Sequence, residues 1–82
     1  MNIRFNYYLK VKNILGKDFD VFEVQEPTSL RNMILSKIPE DKIKQIDLSE
    51  LLIICEGRNI ENLDDIIEKD TVFSICPKIY GG

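Results

Sequence analysis

The sequence predicts an α+β domain in which one main helix packs on one face of a mixed sheet. Three observations predict it: strand-like apolar patterns at both ends of the chain, one apolar stripe at helical spacing between them, and the unbroken apolar run Leu51–Cys55. With 82 residues and 44% apolar side chains, the chain can build one core and no second one. Residues 1–82 are therefore read as a single domain, with residues 77–82 as a flexible C-terminal tail.

Ile3, Phe5, Tyr7 and Leu9 alternate with Asn2, Arg4, Asn6 and Tyr8, the pattern of a first strand with one face on a core. Val11, Ile14 and Leu15 then recur at three and four residues before Gly16, which suits a short helical turn closed by glycine. Residues 16–18 make a turn. Residues 19–24 are aromatic and β-branched, stop before Glu26-Pro27, and form a second strand paired with the first. Thr28 or Ser29 caps the main helix, whose stripe of Leu30, Met33, Ile34 and Ile38 ends at Pro39. Residues 40–50 are charged, with Ile43, Ile46 and Leu48 as anchors, and read as a loop with one helical turn. Leu51–Cys55 has apolar side chains for both faces of an interior strand. Residues 58–60 suit a short edge strand, residues 63–67 a turn, and residues 72–76 a last strand with Phe73 and Ile75 on one side, ended by Pro77. The order strand, strand, helix, strand, short strand, strand is that of the β-grasp, or ubiquitin-like, architecture.

Composition removes several functions. The net charge is −3 and the cations are scattered, so no stripe neutralises phosphates and no nucleic-acid partner is expected. Histidine is absent, which takes away the commonest general base and metal ligand. Cys55 and Cys76 lack CxxC spacing and are too few for structural zinc, so no metal site is expected. Both lie in apolar runs and read as free, buried thiols of a cytoplasmic protein. Nowhere does an apolar run reach membrane-spanning length, so no membrane partner is expected.

A single helix covers one face of such a sheet. The strands nevertheless place Tyr8, Ser74, Cys76 and half of Leu51–Cys55 on the other face, which reads either as scattered surface apolar groups or as a docking patch. The chain ends Pro77-Lys78-Ile79-Tyr80-Gly81-Gly82. At average glycine usage, two final glycines occur by chance in about 0.5% of chains. Lacking a Cβ, such residues can thread a narrow channel in a partner enzyme. ATP can convert the Gly82 carboxylate to an acyl adenylate, which a sulfur or amine nucleophile then opens. Attack by sulfur leaves a thiocarboxylate, a sulfur donor. No glycine-rich phosphate loop occurs in the chain, so the partner must supply the nucleotide pocket. Lys78, Ile79 and Tyr80 are left to position the tail.

Residues 3–16, an apolar strand followed by Val11-Lys12-Asn13-Ile14-Leu15-Gly16, resemble the start of the sulfur-carrier family that includes the small subunit of molybdopterin synthase and the thiamine-pathway sulfur carrier. Thr28, Leu30 and Met33 fit that family's helix start. Residues 68–72 stand at its turn before the last strand, and Pro77-Lys78-Ile79-Tyr80-Gly81-Gly82 resembles its P-P-x-x-G-G ending. Lys69 stands where the family has a turn glycine, Lys78 at its second proline and Tyr80 at its small residue. The resemblance implies a chain that is not catalytic alone and binds no cofactor itself. Gly82, beside Gly81, would be adenylated and thiocarboxylated by an ATP-dependent activating adenylyltransferase. The molybdopterin synthase large subunit would be a second partner, and Tyr8 would contact partners on the sheet face. Two other readings stay open: a ubiquitin-like modifier joined to lysines through Gly82, and a plain β-grasp interaction module.

Overall fold

The computed structural model describes residues 1–78. Its main sheet holds β1 (Asn2–Tyr7), β2 (Phe19–Glu23), β4 (Leu51–Cys55), β5 (Arg58–Asn59) and β7 (Thr71–Pro77) in the order β2-β1-β7-β4-β5. Strands β1 and β7 run parallel in the middle, and the other neighbours are antiparallel. On one face, Ile3, Phe5, Tyr7, Ile53, Phe73 and Ile75 meet Val11, Leu30, Met33, Ile34 and Ile38 from helices α1 (Leu9–Leu15) and α2 (Leu30–Lys37) and the end of α2. Phe5 lies at the centre of this layer, with ring centroids 5.1 Å from Phe22, 5.8 Å from Phe73 and 6.4 Å from Tyr7, all edge-to-face. The period of two thus becomes a core face, as the β-grasp order requires.

Local chemistry closes each element. The Ser29 hydroxyl accepts the Asn32 N–H at 3.1 Å and caps α2, settling the choice between Thr28 and Ser29. Gly16 ends α1 at φ 71°, a left-handed position open to glycine without a Cβ clash. Glu56 and Gly57 (φ 52° and 77°) connect β4 to β5 in the all-positive geometry of a type I′ hairpin turn.

Three expectations are corrected. Leu9 leaves the strand pattern, because the chain turns at φ 54° there and starts α1 with that side chain 60% exposed. Residues 40–50 are more helical than expected, forming α3 (Glu40–Ile46) and a 3-10 turn (Leu48–Glu50). The Pro39 carbonyl accepts from Lys42 and Ile43, Glu40 and Asp41 favour the positive helix end, and Ile46 is buried. Within residues 63–67, β6 (Ile66–Ile67) pairs antiparallel with β3 (Thr28–Ser29), making a second small sheet at the start of α2.

Tyr7 ties the sheet to the α1 connection. Its ring is buried, and its hydroxyl donates to Asp20 Oδ2 at 2.7 Å while Lys17 Nζ lies 3.0 Å from Oδ1. Burial first, then the bond to and the charge of Asp20, push the phenol well above its ordinary range. Above about pH 10 the unfolded phenol loses its proton while the folded one keeps it, so stability falls as pH rises through that range. Chemical denaturation across that range is expected to show this alkaline loss, and Tyr7→Phe to lack it.

Candidate functional site

The last strand decides where the chain leaves the domain. In Thr71–Pro77, Phe73 and Ile75 enter the core while Val72, Ser74 and Cys76 face the other way. Being central, β7 is held on both sides, by Tyr7 opposite Ile75 and by Leu51 opposite Pro77. The strand runs one residue past its expected end, and the Lys78 N–H then donates to Glu50 O at 2.8 Å. Lys78 is exposed. Ile79, Tyr80, Gly81 and Gly82, four of the candidate site residues, lie outside the described residues.

Tyr8 lies at the same end. Its N–H donates to Ile75 O at 3.0 Å, and its side chain is 47% exposed beside the still more exposed Leu9. Between this corner and α3, Lys10, Val11, Gln45, Asp47, Pro77 and Lys78 border a groove of about 410 Å³. Tyr8, bonded to Ile75, and Lys78, three residues further along β7's course, therefore lie at the same end of the sheet. Since left-handed backbone costs a leucine about 1 kcal/mol or more, Leu9→Asn is expected to raise the thermal midpoint, with little packing to lose at so exposed a site.

The helix-free face of the sheet carries rows set by strand register. Val21, Arg4 and Val72 form one; Phe19, Asn6, Ser74, Ile54 and Asn59 form a second; Cys76 and Leu52 form a third. Ser74, Cys76, Leu52 and Ile54 match the sequence reading of this face and are half-buried. Phe19, Val21 and Val72, each about half exposed, were not foreseen. Their signal was weak, because β2 has Phe22 on its core side and Phe19 and Val21 on the other, so its pattern lacks one apolar face. Arg4 stacks on Phe19 with its guanidinium carbon 4.1 Å from the ring centre, while its Nε donates to Asn6 Oδ1 at 2.7 Å.

Catalytic groups do not converge here. Cys76 Sγ donates to the Leu52 carbonyl at 3.4 Å, and burial pushes its thiol up, towards the unreactive protonated form. At the far end of β4, burial and then Glu56 push the Cys55 thiol up as well. Among the described residues, no three His, Cys, Asp or Glu side chains are grouped to hold a metal ion. Nor is any helix among them long and apolar enough to cross a membrane. What this edge offers is a chain anchored through Lys78 beside an apolar face.

No protein-family model matches the sequence, and no curated protein matches it. Solved structures do match in shape. Putative molybdopterin converting factor subunit 1 from Pyrococcus furiosus is 20% identical, with a TM-score of 0.76 over 96% of this chain and 99% of that one. A complex of subunits 1 and 2 of the molybdopterin-converting factor from Helicobacter pylori matches at 19% identity and a TM-score of 0.65, covering all of both chains. SAMP1 from Haloferax volcanii gives a TM-score of 0.75 at 9% identity, also over both full chains. At these identities the likeness establishes a shared β-grasp fold.

Proposed function

We propose that this chain is a protein sulfur carrier acting in the cytoplasm as the small subunit of molybdopterin synthase, with Gly82 as the atom-carrying residue. The observation that carries the reading is the course of β7: a central strand, paired with β1 up to Ile75 and with β4 up to Pro77 and tied at Lys78 to Glu50, that leads into Ile79-Tyr80-Gly81-Gly82. Fold likeness to subunit 1 of molybdopterin converting factors supports it.

In this reading an activating adenylyltransferase binds the domain and transfers AMP from ATP to the Gly82 carboxylate, releasing pyrophosphate. A sulfur donor then displaces AMP and leaves the thiocarboxylate. Ile79, Tyr80 and Gly81 position the tail, and Tyr8 and Lys78 line its base. The large subunit of the synthase receives the loaded end; the sulfur passes to the molybdopterin precursor, and water attacks the acyl carbon to restore the Gly82 carboxylate as the sulfur leaves into the dithiolene. This domain contributes binding and delivery, and the partners contribute the catalytic groups, consistent with the protonated thiols described above.

The test is intact-mass spectrometry after incubation with ATP, the cognate activating enzyme and a sulfur source. The expected product has one oxygen exchanged for sulfur at the terminus. A second reading, a ubiquitin-like modifier, is favoured by the likeness to SAMP1, which is also described as small archaeal modifier protein 1. Gly82-dependent isopeptide conjugates on lysines, without thiocarboxylate, would establish it instead; a thiocarboxylate consumed by another sulfur-transfer route, such as the thiamine pathway, would change only the acceptor.

A further inference from the structure

We infer that the free edge of β2 pairs with the same edge of a second copy, joining two five-stranded sheets into one; this goes beyond the sulfur-carrier reading and does not depend on it. The hydrogen-bond phase of β2 comes first. Met1 and Val24 exchange both bonds, ammonium to Val24 O and Val24 N–H to Met1 O, each at 2.8 Å, and the Tyr7 N–H reaches Asp18 O at 2.8 Å. In an antiparallel pair such bonded positions alternate, so Phe22 and Asp20 bond inward to Ile3 and Phe5. Phe19, Val21 and Glu23 therefore aim their N–H and C=O groups away from the sheet, along an edge with no strand beyond it among the described residues.

Edge strands in stable monomers are usually protected by proline, a bulge, extreme shortness or charged side chains, lysine above all, including charges turned inward. The opposite edge, β5, is two residues long. By contrast, Phe19–Glu23 is a regular five-residue strand without lysine, proline or glycine; its core-side charge, Asp20, is already held by Tyr7 and Lys17, and Phe19 and Val21 are 47% and 57% exposed.

The sequence around this edge complements itself. A two-fold axis through Val21, normal to the sheet, sets Val21 against Val21, Phe19 against Glu23, Asp20 against Phe22, Asp18 against Val24 and Lys17 against Gln25. No like charges face each other directly, and all three outward residues on each strand gain backbone partners. Across the axis, Glu23 of the second copy lies beside Phe19, over which the Arg4 guanidinium already sits. On the helix side, Lys37 sits 5.3 Å from the Phe22 ring centre, placing that ammonium next to the Asp20 that faces Phe22 across the axis. The rotation keeps both helix-free faces on the same side. One edge buries little area, so the dimer is weak and reversible.

Sedimentation equilibrium of the full chain, without ATP or partners, tests this. Mass is expected to rise from the 9.6 kDa monomer towards twice that value as concentration approaches about 1 mM. Amide resonances of Phe19, Val21 and Glu23 should shift with dilution. Val21→Lys, on an exposed side chain, sets two ammonium groups on the axis and is expected to raise the dissociation constant about fivefold. Glu23→Arg should weaken pairing and the double change with Arg4→Glu restore it. A chain still monomeric at about 1 mM, or variants that associate as the wild type does, would overturn the inference. Because no sulfur chemistry enters, failure here leaves the thiocarboxylate assay undisturbed.

Discussion

Deletion of Gly82 is expected to abolish sulfur loading, with no thiocarboxylate detected by intact mass, while the thermal midpoint stays at its wild-type value. The two readouts separate because every core contact described here lies within residues 1–78. Gly82→Ala is a milder change. It keeps a terminal carboxylate but adds a Cβ where, in the proposed reading, the tail enters a narrow channel, and a misplacement of about 1 Å at a reacting group costs roughly 100-fold in rate. Loading should therefore slow by about that factor. If the deleted chain still acquires sulfur, the proposed chemistry does not occur at this terminus and the reading fails.

The largest structural effect is expected from Phe5→Ala. Phe5 is fully buried and holds three edge-to-face partners from β1, β2 and β7, so truncation removes apolar area and leaves a cavity at the meeting point of the sheet. Such changes cost about 3–5 kcal/mol. A small domain is stable by about 5–15 kcal/mol, so the variant should lose its cooperative urea transition or show it at much lower denaturant. Phe19→Ala is the control: half exposed and losing chiefly its contact with Arg4, it should cost about 1 kcal/mol or less. Equal losses from both would contradict the core described here.

The parts legible in the sequence were those with one strong period. Ile3, Phe5 and Tyr7 alternate, as do Phe73 and Ile75, and Leu30, Met33, Ile34 and Ile38 form one helical stripe; all are buried as expected. Where two signals compete, reading from sequence stops short. Leu9 continues the alternation by composition, yet the backbone turns there because Tyr8 is already bonded to Ile75 and α1 must begin. In residues 40–50 the charges masked α3, whose burial rests on few side chains, chiefly Ile43 and Ile46. The two-residue strands β3 and β6 have no periodicity to read, since their pairing is a tertiary event across residues 28–67. As for the site, Tyr8 and Lys78 lie at the same end of the sheet because β1 and β7 are parallel neighbours, a pairing that no local pattern reveals. The outward phase of β2 was equally hidden, being a property of backbone bonds and not of side chains.

Placing the final strand in the middle of the sheet also affects synthesis. Until β7 emerges, the β1–β2 pair and the β4–β5 pair have no shared neighbour, and a chain halted before Thr71 has two fragments of sheet and no bridge between them. Interrupted translation products would therefore remain unfolded and open to proteolysis, whereas any copy that folds has already been extended through Pro77. The architecture thus admits to the folded pool only molecules whose synthesis has passed through β7.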